Sequence, residues 1–386
     1  MIKSISFFLI RGSISLVLFL LIISELYGQF QYKKNNLQIE NKYSRTSEKI
    51  EYTKNIRFKN AKDITSYLPQ RYSRKGDEDY RIYIQKGLDE NSKIIMPNFP
   101  ILIGEEGLRI GSGKKVLFQE NSKLIIQSNN KEEYGLLKID KSKNIEIYYP
   151  NLEGDKFSHL TDRGQWGMGI YIVNSENIYI YNAVITKMWG DGIYIGNKNG
   201  IINNNISIHQ SYMDNNRRNG VSIIAGKNII IKNSHISNTS GVSPSSGIDI
   251  EPNTNKDILK NIILDNITTF NNGSRGILIA LDMLNGPHNQ QISIQINNHF
   301  DNYSPIGMEI YVDRDYVKQS FNNLTGKIKI INSKYYNNSQ ASFHSGYSKK
   351  NNIELIFNFK NEKGDFTSHG NQFQYEFNEG KKILLN

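Results

Sequence analysis

The 386-residue sequence contains no cysteine. That absence excludes disulfide bonds, thiolate nucleophiles and cysteine-based zinc or iron–sulfur sites. Residues 92–360 also lack any long stretch with the roughly 3.6-residue period of an ordinary helix, which excludes helical repeat folds. Charge is not scarce: 47 Lys and Arg stand against 37 Asp and Glu, a net charge of +10. This excess favours anionic partners without saying which kind.

The N-terminal residues follow the pattern of an export signal. Lys3 and Arg11 precede an uncharged apolar run over residues 14–23, which is short for a membrane span of roughly 17–25 residues. Gly28 is a small residue suited to cleavage after it. We therefore expect a signal peptide over residues 1–28, a secreted, periplasmic or cell-surface bacterial protein, and no stable membrane insertion after cleavage. An uncleaved anchor is the alternative.

Composition and period divide the remaining chain. Residues 29–60 are polar and lysine-rich without a sustained period, which predicts a linker. Residues 61–91 predict an N-terminal cap, because apolar residues at 80, 84 and 88 form a short helical stripe. Residues 361–386 lose the repeat that precedes them and are expected to cover the C-terminal end.

Residues 92–360 repeat a glycine followed by alternating apolar residues. The glycines are Gly135, Gly169, Gly192, Gly220, Gly247, Gly276 and Gly307. A second strand-like pattern, such as Asn177-Ile-Tyr-Ile, recurs between them. Two or three short strands in each repeat fit the coil of a parallel β-helix, whereas a propeller blade needs roughly 40–50 residues. We therefore predict an all-β fold, a single right-handed parallel β-helix of about nine to ten coils with a short N-terminal helical cap.

The chain resembles the pectate-lyase-like superfamily of right-handed parallel β-helix proteins, which includes pectate lyases, polygalacturonases, alginate epimerases and phage tailspikes. The resemblance covers roughly residues 62–360. It rests on the cap pattern from Tyr83 to Asp89, on the coils, and on motifs that begin at Gly154 and Trp189.

This resemblance implies a secreted protein that degrades an anionic, uronate-containing polysaccharide, first of all by β-elimination. Glycoside hydrolysis of the polygalacturonase type and C5-epimerisation are alternatives on the same scaffold, as is a non-catalytic polysaccharide-binding or adhesive protein. The sequence departs from the polygalacturonases at two places. It has one aspartate, Asp191, where they carry a pair, and Arg217-Arg218 where they carry a histidine.

Stacking of the coils predicts which residues meet. Residues one and three after each glycine should face inward, so the residue two after it should face outward. Tyr194, Ser222 and Asp249 are accordingly expected to form an exposed column. The candidate catalytic residues are Asp191, Arg217, Arg218, Asp249 and Glu251.

Each candidate has a chemical reason. Arginines can hold a substrate carboxylate by two parallel hydrogen bonds, and the resemblance implies an arginine base for β-elimination. Asp249 and Glu251, about 7 Å apart by strand rise, could share a Ca²⁺ ion. Carboxylates roughly 6.5–9.5 Å apart also suit inverting hydrolysis. Asp191 precedes a glycine, where an aspartate often only caps a turn.

The candidate substrate-binding residues are His159, Trp166, Tyr171, Tyr194 and Arg275. The first two are expected in a loop between coils, and the two tyrosines could stack on sugar rings or simply pack on the sheet. The expected partner is an anionic polysaccharide. Nucleic acid is not expected, because the sequence has no basic stripe interleaved with aromatic residues.

Overall fold

The computed structural model describes residues 30–34, 45–312, 324–346, 352–359, 363–368 and 371–376. The predicted signal peptide, residues 1–28, lies outside them. Residues 30–34 belong to a separate N-terminal unit and have no regular secondary structure, and the residues from 45 onward belong to the second unit. Of the helices in these ranges, none combines the length and the apolar character needed to cross a membrane.

Two α-helices precede the coils within the described ranges, α1 (Ser47–Arg57) and α2 (Arg81–Glu90). Short 3-10 helices lie at Ile64–Tyr67 and Asp282–Leu284. Helix α2 confirms the predicted cap helix, because Ile84 and Leu88 are buried as the stripe requires.

Helix α1 corrects the prediction of a linker over residues 29–60. Ile50 is buried, and Phe58 at the end of the helix packs edge-on against the ring of Tyr148 at 5.5 Å between centroids. The helix therefore covers the side of the first coils. Its apolar stripe is too narrow to stand out against its lysines and glutamates, so the sequence pattern concealed it.

The strands form two long sheets. Sheet A has 17 strands: β1 (Lys62–Asp63), β2 (Lys93–Ile95), β3 (Pro100–Ile103), β5 (Lys115–Leu117), β6 (Lys123–Ile126), β8 (Lys143–Tyr148), β9 (Asn151–Glu153), β11 (Glu176–Tyr181), β12 (Val184–Thr186), β14 (Asn204–His209), β15 (Tyr212–Asp214), β17 (Gly226–Ser237), β19 (Leu259–Phe270), β21 (Gln290–Asn297), β22 (Phe300–Asn302), β24 (Leu324–Tyr336) and β26 (Asn352–Phe359). Sheet B has 11 strands: β4 (Leu108–Arg109), β7 (Glu133–Asp140), β10 (Trp166–Val173), β13 (Ile193–Gly196), β16 (Asn219–Ile223), β18 (Ser246–Ile250), β20 (Arg275–Ala280), β23 (Ile306–Tyr311), β25 (Ala341–Gly346), β27 (Lys363–Ser368) and β28 (Asn371–Glu376).

Parallel pairing between successive coils confirms the predicted parallel β-helix, with about nine turns. Each glycine-marked strand of the repeat lies in sheet B. The last two strands of sheet B, β27 and β28, pair in the antiparallel direction, unlike the strands that precede them. The stack therefore reaches residues 363–368, a little beyond the predicted boundary at 360.

The repeated glycines are required by the close approach of neighbouring coils. A Cβ atom on Gly192 would stand 2.6 Å from the carbonyl oxygen of Gly220, and one on Gly220 would stand 2.6 Å from that of Gly247. None of these three has a positive φ. A side chain at these positions would thus push two coils apart, which explains why the glycine recurs from β7 to β23 of sheet B.

Asparagine supplies the left-handed corners of sheet A. Asn177, Asn205 and Asn261 have φ between 55° and 57°, a region in which asparagine is among the best-tolerated residues. Their side chains also bond from coil to coil: Asn205 Nδ2 donates to Asn177 Oδ1 at 2.7 Å. Corner conformation and ladder bonding together account for the abundance of asparagine.

Isoleucines that alternate along the strands fill the interior of the helix. Ile208 on β14 is fully buried between its register partners Ile180 and Ile231. We expect Ile208→Ala to lower the free energy of unfolding by about 2–5 kcal/mol, because a buried cavity replaces packed methyl groups. Urea unfolding measures this change. Ile82→Ala, at an exposed position of α2, is the control and should change stability little.

Candidate functional site

One line of outward-facing residues follows sheet B along the helix axis. Its members are register partners on successive parallel strands, spaced by about 4.8 Å. We call it the outer column: Arg109, Lys138, Tyr171, Tyr194, Ser222, Asp249, Leu278, Glu309 and His344. The column begins with the basic residues Arg109 and Lys138 and continues with Tyr171, Tyr194 and Ser222. The acidic residues Asp249 and Glu309 lie further along it.

The structure confirms that Tyr194, Ser222 and Asp249 share this column, but the prediction that they are exposed is wrong. Ser222 and Asp249 are 0% exposed, and Tyr194 is half-buried. The cause is Arg218, whose guanidinium lies over the column with Nη1 at 3.3 Å from Ser222 Oγ and Nη2 at 4.0 Å from Asp249 Oδ2. Alternation fixes the direction of a side chain, whereas exposure depends on what covers it.

Asp191 holds the guanidinium of Arg218 in place over the outer column. Its Oδ2 accepts hydrogen bonds from Arg218 Nη1 at 3.1 Å and Ser222 Oγ at 2.7 Å, and its Oδ1 accepts from the backbone N–H of Asn219 at 3.0 Å. Burial raises the pKa of Asp191, and the charge of Arg218 opposes that shift. Asp191 is fully buried, so its contacts position the arginine and leave no face for a ligand.

Arg218 joins three carboxyl groups. Its Nη2 lies 3.7 Å from Glu251 Oε2, in addition to the contacts with Asp191 and Asp249. Burial lowers the pKa of Arg218, but the charges of Asp191, Asp249 and Glu251 outweigh that effect and raise it. We call these four residues the carboxyl cluster. Its arginine holds its proton firmly.

The surroundings of Asp249 favour the protonated form of its carboxyl group. Burial raises its pKa well above the ordinary value, and the charge of Glu251 adds to the shift. Its Oδ2 accepts a hydrogen bond from Asn219 Nδ2 at 3.0 Å, but its buried Oδ1 has no partner among the described residues. Two carboxylate oxygens cannot bond each other without a proton. A proton on Asp249 that is donated to Glu251 satisfies the buried atom.

The predicted Ca²⁺ site at Asp249 and Glu251 stays a prediction. Both carboxyl groups already face the guanidinium of Arg218, which supplies the positive charge that a cation would bring. The described residues contain no group of three or more His, Asp or Glu side chains placed to hold a metal ion. This arrangement fits a guanidinium better than Ca²⁺.

The raised pKa of Asp249 predicts a pH dependence of stability. Because the native state keeps a proton that the unfolded chain releases, the stabilisation is complete below the ordinary aspartate pKa. It is lost as pH rises toward the native pKa. We expect Asp249→Asn, which cannot ionise, to lose less stability than the wild type between acidic and neutral pH. Urea unfolding at a series of pH values measures the two slopes, and equal slopes would contradict the assignment.

A cleft of about 340 Å³ adjoins the carboxyl cluster. Its lining includes Glu251, Arg275, Leu278, Ala280 and Tyr311. The side chain of Glu251 is 25% exposed and is the part of the Asp249–Glu251 pair that reaches solvent. We call this the central cleft. It brings a partly exposed carboxyl group and an arginine into the lining of one cleft.

A second charged group includes two residues that line the central cleft, Arg275 and Tyr311. Glu309 is bonded by Arg275 Nε through one oxygen and by His344 Nδ1 through the other. Burial raises the pKa of Glu309, but the hydrogen bonds from His344 and Tyr311 and the charge of Arg275 lower it below the ordinary value. We call Arg275, Glu309, Tyr311 and His344 the histidine cluster. It pairs an ionised carboxylate with a histidine that is 24% exposed.

The sequence analysis selected Arg275 but missed Glu309 and His344. Glu309 lies two residues after Gly307, so the repeat placed it in the column without marking it as chemically distinct. His344 lies on β25, whose strand begins at Ala341 with no glycine before it. The alternation over residues 341–344 is the signal that could have extended the register by one coil.

Arg217 and His159 lie outside the predicted site. The guanidinium of Arg217 stacks 3.6 Å from the ring centroid of Trp189, and its Nη1 donates to the carbonyl of Gly164 at 3.0 Å. Both contacts lie outside the carboxyl cluster that holds the neighbouring Arg218. The ring of His159 is fully buried, bonded to Asp155 at 2.7 Å, so the expected substrate contact is wrong.

The three aromatic candidates differ in their surroundings: two tyrosines stack on each other, and the tryptophan is exposed. Tyr171 and Tyr194 are stacked with centroids 5.4 Å apart and planes 6° apart, as register partners in the outer column. Burial raises the pKa of Tyr194. Trp166 is 42% exposed, but it begins strand β10 and does not lie in the preceding loop. All three remain near the column and open to a ligand to different degrees.

No protein-family model matches the chain, and no curated protein matches its sequence. Solved structures match its fold. An iota-carrageenase complexed to iota-carrageenan fragments has a TM-score of 0.55 and 9% identity over 84% of this chain and 92% of that one. The A-module of a mannuronan C-5 epimerase from Azotobacter vinelandii gives 0.51 and 11%, over 77% and 87%. An endo-xylogalacturonan hydrolase from Aspergillus tubingensis gives 0.50 and 11%, over 71% and 75%. At such identities the likeness shows a shared right-handed parallel β-helix.

Proposed function

We propose that the protein cleaves a polysaccharide by hydrolysing a glycosidic bond at the central cleft. The observation that carries the proposal is the fully buried carboxyl group of Asp249, with an unpaired oxygen and a raised pKa, beside the partly exposed Glu251. A carboxylic acid that stays protonated near neutral pH is the group that protonates a leaving sugar oxygen. The carrageenase and the xylogalacturonan hydrolase with this fold support a polysaccharide as the substrate.

The proton reaches the substrate through Glu251. Asp249 is 0% exposed and cannot touch a sugar. A proton shared by the two carboxyl groups can pass to the Glu251 oxygen that faces the cleft and then to the glycosidic oxygen. The bond between that oxygen and the anomeric carbon breaks, and its electron pair stays on the leaving oxygen. Asp249 then acts as the internal proton store of the acid.

The histidine cluster adjoins the central cleft through Arg275 and Tyr311. Glu309 follows Asp249 by two strands in the outer column, a separation of about 9.6 Å by strand spacing. We propose that His344, held by Glu309, takes the proton of the water that attacks the anomeric carbon. The product should then have inverted anomeric configuration.

The surroundings of Arg218 favour hydrolysis over β-elimination, the reaction that the resemblance placed first. An arginine base must release its proton, and three carboxyl groups raise the pKa of Arg218. Arg217, the other candidate base, is stacked on Trp189. Neither guanidinium fits the role of a base in the central cleft.

The proposal is tested by incubating the purified protein with acidic and neutral polysaccharides. New reducing ends and the ultraviolet absorbance of unsaturated sugars are recorded together. Hydrolysis predicts reducing ends on at least one substrate without the ultraviolet signal. A matching rise of both signals would establish β-elimination instead, and binding without either signal would support a non-catalytic protein.

A further inference from the structure

A second cleft, of about 700 Å³, lies at the basic end of the outer column. Arg109 on β4 and Lys138 on β7 are register partners there, and Tyr171 on β10 follows them. The ammonium of Lys198 lies 5.5 Å from the ring centroid of Tyr171. We call this the basic cleft. It shares the outer column with the carboxyl cluster but does not touch it.

Positive charge in the basic cleft is incompletely balanced. Lys138 is half-buried, and burial lowers its pKa. Glu106 opposes that shift, but the charges of Arg109 and Arg81 add to it. The buried Nε of Arg81 has no hydrogen-bond partner among the residues that the structure describes. Two other cations, Arg109 and Arg81, thus act on a lysine that is partly removed from water.

Three acidic residues in or near the basic cleft have other partners, and a fourth, Asp140, also lines it. Glu106 lies 3.9 Å from the ammonium of Lys131, and Glu133 lies 3.9 Å from that of Lys198. Asp89 accepts a hydrogen bond from Gln85 at 2.8 Å. An anionic ligand would therefore meet the cations of Arg109 and Lys138 without first displacing an ion pair of theirs.

Side-by-side cations alone do not mark a site on this fold. Lys227 and Lys260 are also register partners, on sheet A, but both side chains are exposed to water. Water and salt screen such a pair. Lys138 differs because it is half-buried in a cleft, where like charges repel more strongly and an anion is bound more tightly.

We propose that the basic cleft anchors an acidic group, a carboxylate or a sulfate ester, of the polysaccharide that is cut at the central cleft. This inference rests on the proposed function. Lys138 and Asp249 are four strands apart in the outer column, about 19 Å by strand spacing. Tyr171 and Tyr194 lie on the path between them. The substrate must therefore be long enough to span both clefts, and oligosaccharides too short to do so lose the anchor.

The test measures binding without cleavage, in full-length protein that carries Glu251→Gln. Isothermal titration is performed with polygalacturonate, which carries carboxylates, with iota-carrageenan, which carries sulfates, and with neutral dextran. We expect binding of an acidic polymer, and the class that binds identifies the anion. The double variant Arg109→Gln/Lys138→Gln should weaken that binding by about tenfold or more, because charge-assisted hydrogen bonds are lost. Added salt should weaken it as well.

The matched control is the double variant Lys227→Gln/Lys260→Gln, which removes the same charge from sheet A. It should leave the affinity within about twofold, since these side chains lie on the other sheet. Circular dichroism establishes that both double variants are folded. Equal weakening in the two variants would mean that only the net charge of the protein matters, and it would overturn the proposal. The absence of binding to any acidic polymer would overturn the proposal as well.

Failure of the anchor can be told apart from failure of the hydrolysis. Reducing ends released from a neutral polymer, with no effect of Arg109→Gln/Lys138→Gln on affinity or KM, would leave hydrolysis standing and remove the anchor. Acidic-polymer binding that depends on Arg109 and Lys138, without any reducing ends from active protein, would leave the anchor and remove the hydrolysis.

Discussion

Replacing Glu251 by glutamine lowers kcat by about 10²–10⁴-fold, with a much smaller effect on KM. Positioned acid catalysis contributes an effect of that size. Glutamine keeps the shape of the side chain and its contact with the cleft but cannot relay a proton from Asp249 to the substrate. The measurement is the initial rate of reducing-end release over a range of substrate concentrations.

Two further variants test whether the loss of kcat in Glu251→Gln comes from the loss of acid catalysis. Asp249→Asn should also lower kcat and should move the alkaline limb of the pH–rate profile, because the native pKa of Asp249 sets the pH at which the pair loses its proton. Glu176→Gln, an exposed glutamate on sheet A, should leave kcat unchanged. An unchanged kcat in Glu251→Gln would exclude this residue as the acid.

Replacing Arg218 by methionine lowers the free energy of unfolding by about 3–5 kcal/mol. Removing one partner of a buried ion pair leaves the other charge without compensation. Asp191 is fully buried, and the arginine side chain is 11% exposed, so solvent cannot replace the guanidinium. Urea unfolding of the variant and the wild type gives the difference.

A double-mutant cycle shows whether the loss comes from the ion pair. Asp191→Asn in the Arg218→Met background removes the stranded charge and should recover part of the stability. Additive effects of the two substitutions would mean that Asp191 and Arg218 do not stabilise each other. The carboxyl cluster would then lose its structural basis.

The fold could be predicted from the sequence because every coil repeats the same physical requirement. Gly192 and Gly220 recur where neighbouring coils touch, and the isoleucines that follow them fill the interior. Helix α1 escaped prediction because its stability comes from packing on Tyr148, a contact that its own residues do not reveal.

The site could be predicted as a set of residues but not as a geometry. The repeat placed Asp249 and Glu251 on one strand and Arg218 one coil earlier. It could not show that Arg218 folds over the column and buries Asp249, because that depends on side-chain contacts across coils. The same burial raises the pKa of Asp249 and turns a predicted cation ligand into a proposed acid. Glu309 becomes notable only through its bonds to Arg275 and His344.

The most direct test of the proposed acid chemistry is cleavage in water labelled with heavy oxygen. Hydrolysis predicts that each new reducing end carries one labelled oxygen from the attacking water and that the product is a saturated sugar. Mass spectrometry of the oligosaccharide products reads both features at once. Unsaturated products without the label would mean that the bond breaks by elimination, and would contradict the proposed roles of Asp249 and Glu251 as proton store and acid.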